Sequence, residues 1–236
     1  MRKSSFKALV GSHNYGLNTA DSDRDYKEFF YPSFEDLYSG EKYSKAVTGD
    51  TEDIEYHDIR KLPDMLWKSN VNFVEVLFST DVLTNDELFK ELSEKREHIA
   101  SMNLPYLYDA CMGMYHKKRK EYERDLTKGE WKKVYKHVMS AVRIVDFLQR
   151  YESSNWNFSK AITYQNSEHM RETLFKIKAG QFESETELSV FLEGSEKLLT
   201  VIKPVYKGKK EDLGTKEWLY NTVKWKVEEQ IYLEIK

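Results

Sequence analysis

Over the first 60 or so residues, short apolar runs separated by loops repeat with the two-residue period of strands; beyond them the spacing lengthens to that of helices. FKALV (6–10) is apolar, partly β-branched and stopped by Gly11-Ser12, and DYKEFFYP (25–32) is rich in aromatics and closes on Pro32. Both are predicted strands. DIEYHDI (53–59) is a third, in which alternation puts Asp53, Glu55 and His57 on one face and Ile54 and Tyr56 on the other. One face of that strand is charged and the other apolar.

From about Arg60 the pattern is amphipathic and helical. KLPDMLWKSN, VNFVEVLFS and DELFKELSEKREHIASM are short segments, with Pro63 suited to a first helical turn. Residues 107–126 and 130–151 form two long helices, and the short connection containing Gly129 predicts an antiparallel hairpin. SEHMRETLFKIKAG (167–180) ends on a glycine placed to cap it, and Ser184 with Glu187 has capping-box spacing at the start of the next helix. A last helix is expected from Thr215 to about Tyr232. The fold class is therefore α+β, with a small mixed-sheet domain over 1–100 followed by a helical domain over 101–236.

Composition narrows this. The chain has 236 residues with 40% apolar, 33% charged and 14% aromatic content, enough for one large domain or two small ones. With 37 basic against 40 acidic side chains the net charge is -3, so no uniform positive field draws the protein to nucleic acid, although a local basic groove could. The lone Cys111 excludes a disulfide within the chain and a multi-cysteine zinc site, and it sits among apolar helix positions as an inert thiol. No apolar run approaches the roughly 20 residues that span a bilayer, and the start, MRKSSFKALVGSHNYG, meets glycine too early for a signal peptide. A globular, cytoplasmic protein without membrane contact is expected. No repeat of solenoid period is present, and four prolines and ten glycines argue against a linker-rich chain.

The chemistry concentrates between the first two strands, in GSHNYGLNTADSDRD. Asp23 and Asp25, two residues apart at a strand start, would project from one face with Cα atoms about 7 Å apart, close enough to bridge two divalent ions about 3.5 to 4 Å apart. Glu55 on a neighbouring strand is placed to complete the set, with Asp53 or Asp58 as alternatives. Hard oxygen donors suit magnesium, which favours carboxylates, waters and substrate phosphates and serves nucleotidyl transfer. Gly11 lets backbone approach a ligand, and exposed amides after the strand, with the Ser12 hydroxyl, could hold the terminal phosphates of a nucleotide. Ser12 could equally cap a helix.

Gly11-Ser12, ten residues, then Asp23-x-Asp25 entering a hydrophobic strand, with Glu55 between apolar neighbours further on, resembles the signature of the DNA polymerase β-type nucleotidyltransferases. GSHNYGLNTADSDRDYKEFF is closest to the RNA-ligase-associated nucleotidyltransferases of bacteria and tailed phages. DIEYHDIRKLPDMLWKSNVNFVEVLFS resembles that family's strand, helix and "N-P-x-x-x-E-x-L" segment, with Val71-Asn72 departing from its Asn-Pro. KVYKHVMSAVRIVDFL and LFKIKAGQFESETELSVFLE carry weaker likenesses, so that the resemblance touches about residues 6 to 195.

The resemblance implies that Asp23 and Asp25 bind two magnesium ions and that Glu55 assists one of them near the attacking hydroxyl. A nucleoside monophosphate would pass from a nucleoside triphosphate to a hydroxyl, with RNA or a tRNA end among the acceptors, and the helical half would cover the nucleotide. Adenylylation of a small molecule or a protein is a second reading, and a regulatory nucleotide-binding module without turnover a third. Oligomeric state has no readable determinant. Lys136 and Arg143 lie near one face of a helix and could reach a triphosphate, whereas His137 reads better as packed or capping. HKKRK (116–120), beside Tyr115 and Tyr122, could track a nucleic-acid backbone, though a solvated helix face is the simpler account. Arg24 and Lys27 flank the acids, as phosphate contacts or as plain strand charge. Trp131, Trp156, Trp218 and Trp225 are expected in the core, Trp156 with the option of stacking on a base.

Overall fold

The computed structural model describes every residue except Met1, Asp21, Asn85, Asn166 and 182–184, and the predicted cap at Ser184 falls outside the described residues. The chain forms two compact units, Met1–Asn103 with Glu211–Lys236, and Leu104–Lys210. The first unit begins with β1 (Ser4–Val10), α1 (Ser12–Tyr15), β2 (Arg24–Phe30), α2 (Phe34–Tyr38), β3 (Ser44–Thr48) and β4 (Glu52–Asp58). It continues through α3 (Leu62–Trp67), α4 (Val71–Val74), β5 (Val82–Thr84), α5 (Leu88–Glu94) and α6 (Arg96–Ser101). The second unit holds α7 (Leu104–Thr127), α8 (Trp131–Ser153), α9 (Phe158–Ile162), α10 (Glu168–Ala179) and α11 (Glu185–Lys207), after which the chain returns to the first as α12 (Leu213–Ile235).

The sheet is mixed, in the order β3-β4-β2-β1-β5. β2 and β4 run parallel, which no tight turn can join; the connection between them carries α2 and β3, and β3 pairs antiparallel with β4. β1 lies between β2 and β5, antiparallel to both. Its Phe6, Ala8, Leu9 and Val10 are buried, and the Phe6 and Phe29 rings stack at 4.8 Å between centroids. The three predicted strands are thus present, together with two more. β3 (SKAVT) is exposed along its whole length and shows no hydrophobic face, and β5 is three residues long. Neither offers a periodic signal.

The last helix does not belong where residue order suggests. Leu219, Thr222, Val223 and Val227 are the buried stripe of α12, and this stripe packs on α3, α5 and α6. Asp212 caps the helix through the Thr215 amide at 2.9 Å, and its own amide donates to the Met102 carbonyl at 2.7 Å. The chain leaves the first unit after Asn103, and 211–236 lies with the sheet, where Leu219, Val223 and Val227 are buried.

In the second unit α8 is central and packs against α7, α9, α10 and α11. The predicted hairpin forms, with Gly129 at φ 70° in the connection, and Gly180 caps α10 in the left-handed region at φ 66°. Three buried tyrosines donate to carbonyls of neighbouring helices: Tyr108 to Leu199 at 3.0 Å, Tyr115 to Leu192 at 2.9 Å and Tyr206 to Leu148 at 2.7 Å. Each ring fills core while its hydroxyl is satisfied. Trp156 packs edge-on against Tyr151 and Tyr206, whereas Trp225, expected inside, is 63% exposed on α12. Among the described residues no helix is long and apolar enough to cross a membrane. Phe6→Ala, which empties the centre of the sheet's core, is expected to lower stability by about 3–5 kcal/mol in urea unfolding.

Candidate functional site

The site begins where β1 stops. Gly11 has φ 73° and ψ -149°, backbone that a side chain would strain, and a Cβ built on it would lie 2.6 Å from Asp25 Oδ2. The Asp25 carboxylate therefore rests against the Gly11 α-carbon. Ser12 follows as the first residue of α1, a single turn closed by the Tyr15 amide on the Gly11 carbonyl at 3.0 Å. No side chain caps this turn, so the capping role open to Ser12 is not used.

Glu75 lies buried beneath the turn. It accepts the Gly11 N–H at 3.0 Å and the Tyr15 O–H at 2.7 Å. The Gly11 amide is thus not one of the exposed amides that the sequence assigns to phosphates. The sequence reading passes over Glu75 as a functional residue, although a single acid inside the apolar run VNFVEVLFS is a visible signal, since a buried carboxylate must find donors.

The acids are sorted by the register of β2 on β4, which pairs Asp25 with Asp53, Lys27 with Glu55 and Phe29 with His57. Directly paired residues share a face with Cα atoms about 4.8 Å apart, so Asp25 and Asp53 stand side by side. Asp53 is half-buried, and among the described residues no ion pair or side-chain hydrogen bond engages it. Asp23 precedes the strand and is exposed. Glu55 is otherwise occupied: its carboxylate accepts from Lys27 Nζ and meets His57 Nε2 at 3.2 Å, while His57 Nδ1 contacts Ser44 Oγ at 3.3 Å. The hydrogen bond with His57, then Lys27, holds the Glu55 carboxyl at about 2, against the opposing effect of burial.

Lys27 is buried, with its ammonium 4.6 Å from the Phe73 ring centre; it serves Glu55, while Arg24 is exposed on the opposite face. Asp58 also lies on that opposite face, buried and bound by Arg60 at 2.6 and 2.9 Å, and so does not join Asp25. Among the described residues no group of three or more His, Cys, Asp or Glu side chains is arranged to hold a metal ion.

The candidates of the helical unit lie on α7 and α8. Lys136 is exposed and Arg143 half-buried. His137 is clamped by two acids of α7, Asp125 at 2.9 Å and Glu121 at 3.3 Å, a bridge within the helical hairpin. In the basic run Lys118 pairs with Glu121 at 2.6 Å, and Arg119 lies 3.8 and 3.6 Å from Glu123 and Glu196. His116, Lys117 and Lys120 line an open cavity of about 410 Å³ with Gly113, Glu121 and Arg124. Tyr115 is buried and takes no part in it. Burial pushes the Cys111 thiol up to about 12, as suits an inert cysteine.

The family model for "RNA repair pathway DNA polymerase beta family" matches residues 3–218. Among solved structures the chain is similar to a nucleotidyltransferase-like protein from Exiguobacterium sibiricum, at 15% identity and a TM-score of 0.36, over 86% of this chain and 72% of that one. No curated protein matches.

The state of Glu55 has a pH signature. Its carboxyl ionises at about 2 when folded against an ordinary 4.5, so the stability it contributes is present above 4.5 and is lost as pH falls toward 2. Glu55→Gln is expected to flatten the acid limb of a stability-against-pH curve in that window, measured by urea unfolding of both proteins; equal slopes would contradict the pairing.

Proposed function

The chain belongs to the RNA repair pathway DNA polymerase beta family, and from that premise we propose that it moves a nucleoside monophosphate from a nucleoside triphosphate to a hydroxyl on an RNA end, releasing pyrophosphate. One observation carries the proposal: the Asp25 carboxylate lies against the side-chain-free Gly11, with Asp53 beside it in parallel register. This brings adjacent acids up against the turn that ends β1.

The donor chemistry fits magnesium. The ion takes one or two protein carboxylates and fills its shell with water and substrate phosphate, so it needs no all-protein cage. Asp23 and Asp25 would hold two such ions, with Asp53 in the place expected for Glu55, since Glu55 is already neutralised by Lys27. When bound, the ions supply neutralisation of the charge that grows on the transferring phosphorus centre and its leaving group. The Ser12 hydroxyl, on the residue after Gly11, would donate to a phosphate oxygen, while Gly11, lacking a Cβ, leaves room for the Asp25 carboxylate. Glu55 acts on its neighbours, binding Lys27 and His57 on the face that Asp25 and Asp53 share. RNA as acceptor is supported by the description of the family alone.

The test is transfer of label from an α-labelled triphosphate with magnesium and an RNA with a free 3′ hydroxyl. Asp25→Asn and Asp23→Asn are expected to lose about 10³-fold or more in rate with unchanged circular dichroism, and Asp53→Asn about 10²-fold, in keeping with what metal and electrostatic groups contribute. Glu55→Gln should keep more than a tenth of the rate. The reverse order for Asp53 and Glu55 would return the third position to Glu55, and label appearing on protein or metabolites would change the acceptor.

A further inference from the structure

We infer that Glu75 is a positioning residue that holds the Gly11 turn in the shape from which Asp25 can act. Its place in the sequence makes no sense as surface charge. Val74, Val76, Leu77 and Phe78 around it are buried, and Glu75 itself is 2% exposed. Taking a carboxylate out of water costs free energy that an apolar residue of the same size would not incur, unless hydrogen bonds offset it. The geometry supplies hydrogen bonds from two groups of one turn.

The two carboxylate oxygens divide between the ends of a single turn: Oε2 takes the Gly11 amide at 3.0 Å and Oε1 takes the Tyr15 hydroxyl at 2.7 Å. The backbone of the same segment repeats the pattern. The Glu75 carbonyl accepts from Asn14 Nδ2 at 3.5 Å, and Asn14 Oδ1 accepts the Thr80 amide at 3.1 Å. Residues 75–80 therefore grip residues 11, 14 and 15 from below. Gly11 holds an unusual backbone conformation at φ 73° and ψ -149°, and its inward-pointing amide is what Glu75 satisfies. Release that amide and the turn is free to relax toward ordinary backbone. Because Asp25 Oδ2 packs against the Gly11 α-carbon, a shift of the turn opens the contact that sets where the Asp25 oxygens lie. Glu75 touches neither substrate nor ion in this account; it acts through Gly11.

The inference rests on the proposed function and can be separated from it. Two readouts independent of turnover suffice: binding of Mn²⁺ with a non-hydrolysable triphosphate, followed by electron paramagnetic resonance, and amide hydrogen exchange of residues 10–16. Glu75→Gln keeps the volume and removes one acceptor. It is expected to weaken Mn²⁺–triphosphate binding 10- to 100-fold, the range seen when groups that orient metal ligands are lost, and to speed exchange in 10–16 while the β2 and β4 amides stay protected. Tyr15→Phe removes only a hydroxyl and serves if the first variant does not fold; it should move both readouts in the same direction by less. A purely structural role would lower the melting temperature and leave the affinity of the folded protein unchanged, and that result would overturn the inference. Wild-type protein that binds no metal–triphosphate at all would overturn the proposed function, and the inference with it.

Discussion

The parallel register between β2 and β4 decides which charges can meet. In a parallel pair each residue has one lateral neighbour on its own face, so the pairing of Asp25 with Asp53 leaves Lys27 for Glu55 and Phe29 for His57. A slip of one residue would turn the β4 acids to the opposite face, and a slip of two would set Glu55 against Asp25 and remove Lys27 from its partner. The register is held at the outer edge by the β3–β4 hairpin, whose turn is closed by the Gly49 amide on the Glu52 carbonyl at 3.0 Å, and at the inner edge by the buried β1. The electrostatics of the site therefore follow from a backbone pairing and not from any charged side chain.

That pairing separates acids that are alike in sequence. Glu55 and Asp58 each find a cation, Lys27 and Arg60, and their charges are consumed in holding strands and turns. Asp23 and Asp53 are left unpaired among the described residues. Carboxylates brought together without cations repel one another, and the arrangement stabilises the fold less than paired acids would. Lys27 is committed to Glu55, two residues along β2 from Asp25.

How much of this was legible depends on what periodicity can express. Alternation identifies β1, β2 and β4 and correctly puts Asp53, Glu55 and His57 on one face, because each strand has a face that differs from the other. It says nothing of register, which is a property of two strands, and so Glu55 and Asp53 cannot be told apart from one strand alone. β3 is invisible since both its faces are exposed, and Gly49-Asp50, a turn signal before a strand, is the only hint of the hairpin. Helical spacing finds α7, α8, α10 and α12 to within a few residues. It reads DELFKELSEKREHIASM as one segment, because the break at Lys95 between α5 and α6 carries neither glycine nor proline. Glu75 differs: a lone acid in an apolar run signals that donors must exist, but those donors, some 60 residues away, cannot be named from the run itself.

The fate of α12 shows how the first unit closes on itself. The chain leaves the sheet unit after Asn103 and comes back at Glu211, and the Asp212 amide donates to the Met102 carbonyl at 2.7 Å, so the points of departure and return are joined by one hydrogen bond. An insertion whose ends are that close adds no strand and shifts no register. All 107 residues of Leu104–Lys210 can thus be held at a site where the first unit is already closed on itself, with Leu219, Val223 and Val227 of α12 sealing α3, α5 and α6. Gly11, Asp25, Asp53, Glu55 and Glu75 all lie on the sheet side of that junction. The geometry that relates them is set within the first unit, by the pairing of β1, β2 and β4 and the buried Glu75 carboxylate under α1.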